Sequence, residues 1–151
     1  MDIVVRPAVA DDLPALLPLL RGYSDFYEAS PDEGALLAMA SAFCADPDGQ
    51  GRQLLAEADP GELVGFATVL WSWDTTTGTR LAVMEDLFVR EGTRGRGVGR
   101  KLLDACKALA RDHGCAALAW ETAPDNERAQ RLYDATGAER STWLAYRLSI
   151  T

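Results

Sequence analysis

Apolar positions along the chain recur first with a helical period and then with the period of strands. Ile3 to Arg6 predicts a short strand ended by Pro7. Leu13, Leu16, Leu17 and Leu20 fall at i, i+3, i+4 and i+7 and define one helix face. Asp11 or Asp12 can cap that helix, Pro14 is tolerated in its first turn, and Pro18 should kink or divide it. A polar and aromatic segment, Tyr23 to Glu28, comes next. Ser30-Pro31-Asp32-Glu33 opens a second helix to about Ala45, and Asp46 to Gly49 reads as a loop. The period then changes. Gln53 to Ala58 and Leu63 to Trp73 predict a hairpin around the turn Asp59-Pro60-Gly61-Glu62. Thr75 to Gly78 turns the chain into a strand over Arg80 to Arg90. In the helix expected over Val98 to Arg111, Val98, Leu102, Cys106 and Leu109 form an apolar stripe opposite Arg100, Lys101, Asp104 and Lys107. His113-Gly114 closes it, with Gly114 the natural left-handed residue and His113 a C-terminal cap. Ala116 to Thr122 predicts a buried strand, Asp125 to Thr136 a helix stopped by Gly137, and about Trp143 to Ile150 a last strand.

The resulting order, βααβββαβαβ, predicts an α/β chain of the α+β mixed-sheet kind. Antiparallel hairpins come first, and a strand–helix–strand crossover follows that must be parallel and right-handed. Helices are expected on both faces of a mixed, largely antiparallel sheet, in a single domain spanning 1–151.

Composition narrows the partners. A formal net charge of −8 argues against nucleic acid and anionic membrane surfaces and suits a cationic small substrate. Cys44, Cys106 and Cys115 lack metal or redox spacing; Cys106 and Cys115 read as small buried hydrophobes. The first residues, Met1 to Pro7, carry no basic region followed by an apolar stretch, and no apolar run is long enough for a membrane span. A cytoplasmic protein is expected. With a single histidine, hydrolase triads and metal sites have little to draw on, and no metal is expected. Trp71, Trp73, Trp120 and Trp143 read as core or dimer contacts.

The chemistry concentrates at Arg94-Gly95-Arg96-Gly97-Val98-Gly99, between a predicted strand and a predicted helix. Glycines at alternate positions let a ligand approach the backbone, and the unpaired N–H groups and dipole of the helix start favour an anion. That arrangement binds phosphate. It is not a P-loop, because Arg100-Lys101 is followed by Leu102, and its glycine spacing is not the dinucleotide fingerprint.

The stretch Met84-Glu85-Asp86-Leu87-Phe88-Val89 followed by Arg94-Gly95-Arg96-Gly97-Val98-Gly99 resembles the acetyl-CoA-binding motif of the GNAT superfamily of N-acetyltransferases. Trp120-Glu121-Thr122, then Asn126 to Tyr133 and Gly137-Ala138, resembles the superfamily's second element. Within the superfamily, these runs are similar to small enzymes acting on polyamines, histones or amino acids. The likeness covers nearly the whole chain and implies the GNAT fold, acetyl-CoA as cofactor and a homodimer.

By that resemblance, backbone amides from Arg94 through Gly95, Arg96, Gly97, Val98 and Gly99 to Arg100 hold the pyrophosphate. Leu87, Phe88 and Val89 meet the pantetheine arm on a strand that splays from its parallel neighbour. A backbone N–H near Phe88 or Val89 is the expected oxyanion donor. Asn126, Ala129 and Tyr133 share a helix face that the resemblance sets against the cofactor sulfur. Tyr133 is then the general acid, and Asn126 either caps its helix or bonds the cofactor. Strict alternation puts Leu81, Val83, Glu85, Leu87 and Val89 on one strand face and Asp86 and Phe88 on the other. Glu85 is therefore the candidate base, although a bulge would exchange it with Asp86. Tyr23, Asp25, Tyr27, Glu28 and Asp86 are the expected substrate residues, suited to a cationic amine by charge and cation–π contact. Without a convincing nucleophile, direct attack in a ternary complex on acetyl-CoA is expected, the acceptor being the amine of a small molecule. A protein amine as acceptor, or a non-catalytic acyl-CoA-binding module, are the alternatives.

Overall fold

The structure, a computed structural model, describes residues 2–59 and 61–151. Met1 lies outside the described residues, as does Pro60 of the expected Asp59–Glu62 turn. The elements run β1 (Ile3–Pro7), α1 (Leu13–Phe26), α2 (Glu33–Ala45), β2 (Gly51–Ala58), β3 (Glu62–Asp74), β4 (Thr79–Val89), α3 (Val98–Asp112), β5 (Ala117–Ala119) and α4 (Glu127–Asp134). Two compact units divide the chain, Met1–Glu121 with the sheet and Thr122–Thr151 with α4.

The sheet of the first unit is mixed, as expected. Its order is β1-β2-β3-β4-β5; the first three pairings are antiparallel and β4–β5 is parallel. Adjacent residues of β3 show that both faces are covered. Phe66, fully buried, meets the Tyr23 ring of α1 edge-on, while Gly65 lies beneath Leu102 of α3. On the α1 and α2 side, Leu16, Leu19, Leu20, Leu36, Ala40, Leu55, Leu63 and Phe66 form one apolar cluster. On the other side, the helical stripe of α3 buries Val98, Leu102, Leu103, Cys106 and Ala110. Burial of each leucine, valine or phenylalanine among them is worth about 1.5–3 kcal/mol against exposure, which is why the periodicity predicts the helices so well.

Three expectations change. Pro18 neither ends nor divides α1, which continues to Phe26. Its missing N–H would have bonded the carbonyl of Pro14 in the first turn, so a single hydrogen bond is lost while the leucine face stays buried. The strand expected over 116–122 shortens to β5, Ala117–Ala119. The closing strand expected over Trp143 to Ile150 is absent: the segment has no strand pairing, and Leu144, Tyr146, Leu148 and Ile150 are 81–95% exposed. Alternation marks a side-chain pattern, whereas a strand also needs a partner for its backbone.

Candidate active site

β4 ends at Val89, and the chain passes through a short 3-10 turn, Glu91–Thr93, into the glycine loop. The buried Thr93 hydroxyl donates to the Arg90 carbonyl, and the Arg94 Nε donates to the Val89 carbonyl at 2.9 Å. These bonds fix the loop to the strand end. Gly95 and Gly97 both adopt the left-handed region, at φ +81° and +80°, and Gly97 is the N-cap of α3. A Cβ at either position would meet no protein atom within 4 Å. Open space therefore lies over the turn. The helix begins its bonding with the Lys101 N–H to the Gly97 carbonyl, so the N–H groups of Val98, Gly99 and Arg100 have no intrahelical acceptor. Arg96 is exposed, and Arg100 pairs with Asp104 one turn on.

β4 and β5 part company just before this loop. They pair only at Leu81–Ala117, Ala82–Leu118 and Val83–Ala119. Because the Val89 carbonyl is taken by Arg94, the backbone groups of Val89 face away from β3. Antiparallel pairing alternates residue by residue, so those of Leu87 face the same way and those of Phe88 face β3. The N–H groups of Leu87 and Val89 thus line the side of β4 along which β5 no longer runs. Of Phe88 and Val89, the two positions expected to offer an oxyanion donor, Val89 is the one whose N–H turns away from β3.

A bulge decides which carboxylate enters the interior. Val69 pairs with Met84 but Thr68 pairs with Asp86, leaving Glu85 as the extra residue. Leu87 and Val89 consequently share a face with Ala82 and Met84 instead of Leu81 and Val83. Glu85 is exposed, whereas Asp86 is half-buried on the face covered by α1. There Tyr23 closes over it. The Tyr23 ring meets Phe66 at 5.8 Å, Phe88 at 6.2 Å and Tyr27 at 5.0 Å between centroids. Burial first, and then the Asp86 carboxylate, hold the Tyr23 hydroxyl protonated well above the ordinary phenol range, with Tyr27 contributing in the same sense. Phe88 fits beneath α1 because residue 22 is glycine, where a Cβ would stand 2.9 Å from the ring. The Arg94 guanidinium sits 5.8 Å from the Phe88 centroid, so one side chain links the glycine loop to the aromatic cluster.

At the end of α1, Phe26 and Tyr27 are more than half exposed, and Asp25 and Glu28 are exposed beside them. Glu28 takes φ +56°, a left-handed conformation that costs a non-glycine residue about 1–2 kcal/mol. Of the expected substrate residues, Tyr23, Tyr27 and Asp86 are brought together; Asp25 and Glu28 stay at the surface.

The second unit carries the remaining expected residues. The Asn126 side chain accepts from the Ala129 N–H at 3.2 Å and so caps α4, and Gln130 ties α4 to the carbonyls of Ala123 and Pro124. Between its two expected roles, the cap is the one Asn126 fills here. Tyr133 is half-buried in the last turn of α4, on the face that starts at Asn126 and Ala129.

A family model for the acetyltransferase (GNAT) family matches residues 16–138. The chain belongs to the GNAT family. It is 31% identical over 139 residues to the uncharacterized N-acetyltransferase YhfO of Bacillus subtilis, covering 91% of each chain. It is 31% identical over 150 residues to the thialysine N-epsilon-acetyltransferase of Bos taurus, covering 93% of this chain and 86% of that one. Among solved structures, aminoglycoside N-acetyltransferase AAC(6')-Iy in complex with CoA shares the fold at TM-score 0.85, with 23% identity over 99% of this chain and 96% of that one.

This GNAT protein is therefore an acetyl-CoA-dependent N-acetyltransferase. The residues present fit that cofactor: the uncrowded turn over Gly95 and Gly97 and the three N–H groups behind it suit a diphosphate. The open side of β4 offers main-chain donors to an amide-bearing arm. When bound, acetyl-CoA supplies an activated acetyl group as a thioester. Sequence reasoning passed over Gln53 and Thr68, polar residues only 3% and 2% exposed inside the apolar strands β2 and β3. Their signal was visible in principle, since a polar side chain at a core position needs a partner. No described helix is long and apolar enough to cross a membrane.

Proposed function

We propose that this GNAT enzyme acetylates the primary amine of a small cationic molecule, polyamine-like or amino-acid-like, by direct attack in a ternary complex. One observation carries the reading: Asp86 is half-buried beside Tyr23, whose ring packs against Tyr27, Phe66 and Phe88, and Arg94 of the pyrophosphate loop reaches Phe88. A carboxylate framed by aromatic faces attracts an ammonium group through charge and ring quadrupole together. Asp86 anchors the amine and draws off its proton, with the exposed Glu85 next to it. The Val89 N–H donates to the acetyl carbonyl oxygen, and Tyr133 gives a proton to the departing sulfur. Direct attack is supported by the thiols. Burial pushes Cys106 up to about 12 and raises Cys44 and Cys115, so none is a ready nucleophile. The named activities of the bovine and CoA-bound relatives, on thialysine and aminoglycosides, agree with a small-amine acceptor.

The test is thiol release from acetyl-CoA across a panel of diamines, polyamines and basic amino acids. Asp86→Asn should raise KM for the preferred amine about 10- to 100-fold with KM for acetyl-CoA unchanged, the scale of a lost charge-assisted hydrogen bond. Turnover with basic proteins and with no small amine would overturn this reading.

We also propose one catalytic domain over 1–151, in the cytoplasm, where the three unpaired cysteines suit a reducing medium. A homodimer is supported by Leu144, Tyr146, Leu148 and Ile150, large apolar side chains exposed along one segment, for which a second copy is the proposed cover. Light scattering should give the mass of two chains, and Leu148→Glu should give one. A wild-type monomer would refute it.

A further inference from the structure

The strand registers place Gln53 of β2 opposite Thr68 of β3, and Thr68 opposite Asp86 of β4. Residues directly opposite on neighbouring strands share a face, so the three form one polar row across the sheet. The next row on that face is Leu55, Phe66 and Phe88, and it is wholly apolar. A polar row in this setting has to be satisfied within itself. Gln53 Nε2 donates to Thr68 Oγ1 at 3.2 Å, in a bond buried from solvent. Thr68 Oγ1 accepts that bond and keeps its own proton to donate. Across β3 from Gln53, the facing side chain is the Asp86 carboxylate. At the far end of the row, Gln53 Oε1 makes no hydrogen bond among the described residues. That unpaired amide oxygen is a cost that a purely structural row of apolar residues would not carry.

We propose that Gln53 and Thr68 are positioning residues, a relay of oriented hydrogen bonds that fixes the Asp86 carboxylate toward the acceptor amine. The inference rests on the reading of Asp86 as the amine anchor. Gln53 sets the direction of the Thr68 hydroxyl, and Thr68 supplies Asp86 with a donor from the sheet. Tyr23 supplies a second from α1. Donors on two sides leave the Asp86 carboxylate one orientation. The ionisable groups near it are Tyr23 on α1, Tyr27 at the C-cap of that helix, and Glu85 next to it on β4. The charges of β3, Glu62 and Asp74, stand at its two ends, and Thr68 is the residue of that strand opposite the carboxylate.

Two readouts separate the relay from simple packing. The first is the titration of the Asp86 carboxyl carbon by NMR in the cofactor-free protein, which needs no turnover. Thr68→Val is nearly isosteric and removes the hydroxyl, which is both the donor toward Asp86 and the acceptor of the Gln53 amide; the Asp86 midpoint should rise. Thr68→Ser should return it to the wild-type value. The second is steady-state kinetics with the preferred amine. Thr68→Val should raise the amine KM about tenfold, shift the acid limb of kcat/KM upward and leave KM for acetyl-CoA unchanged. Gln53→Met should move both readouts in the same direction by less, and it serves if Thr68→Val fails to fold. An Asp86 titration unmoved in folded Thr68→Val or Gln53→Met protein overturns the proposal, even if melting temperature falls. If that titration moves while Asp86→Asn leaves the amine KM untouched, the relay stands and the amine-anchor reading falls.

Discussion

Replacing Tyr133 by phenylalanine should lower kcat by about two to four orders of magnitude, the range for loss of a positioned general acid. The ring stays, so packing around α4 changes little. The helix itself keeps its start, because Asn126 Oδ1 bonds the Ala129 N–H and Gln130 holds the two carbonyls ahead of it. What disappears is one proton donor. A thiolate leaving an acetyl group needs that proton as the bond to sulfur breaks, not when the substrates bind. kcat and kcat/KM should therefore fall together, with both KM values and CoA affinity near wild type. Calorimetry with CoA and stopped-time thiol release on the same preparation measure the two halves of this expectation. A phenylalanine variant that turns over within about threefold of wild type would remove Tyr133 from the chemistry, since a catalytic acid contributes far more.

How far the sequence could be read depends on what each pattern reports. The leucines of α1 and the stripe of α3 are legible because burial of a helix face is written in its own spacing. The αL position of Gly97 and the cap at Asn126 are local as well, fixed by residues within one turn. Asp86 was not legible in this way. Along β4 the letters alternate as if Glu85, Leu87 and Val89 shared a face, and only the partner strand shows that Glu85 is supernumerary. A bulge belongs to two strands, so one strand's sequence does not contain it. The same holds for Gln53 and Thr68: each is visible as a polar letter in an apolar run, but their union depends on register.

The segment from Trp143 to Ile150 fails in the opposite direction. Its alternation is plain, yet alternation concerns side chains and says nothing about where backbone groups find partners. Pro18 is a milder case of the same kind. A local rule, that proline ends helices, yields to the burial of Leu16, Leu19 and Leu20 on one face. Where tertiary contact outweighs local preference, the chain alone misleads; at the glycine loop the left-handed glycines and the helix start are set locally, and there sequence and structure agree.

That loop gives the second large effect. Gly97→Val should reduce CoA affinity by about 100-fold or more, equivalent to losing two or more hydrogen bonds to a charged group. Gly97 holds φ +80°, and an added Cβ would touch no protein atom within 4 Å. The protein leaves that space open, so a side chain there obstructs only what comes to the turn from outside. The substitution also carries a backbone cost of about 1–2 kcal/mol for a branched residue in the left-handed region. Gly78 separates the two costs. It takes φ +70°, an added Cβ there also meets nothing within 4 Å, and it lies beyond the opposite end of β4. Gly78→Val should therefore lose a similar amount of stability, a few degrees in Tm at about 1–2 kcal/mol, and bind CoA as the wild type does. Matching melting curves with divergent CoA isotherms locate the diphosphate over Gly97. Matching isotherms would show that the main-chain amides of this turn hold no diphosphate, and the assignment of Val98, Gly99 and Arg100 as its donors would go with them.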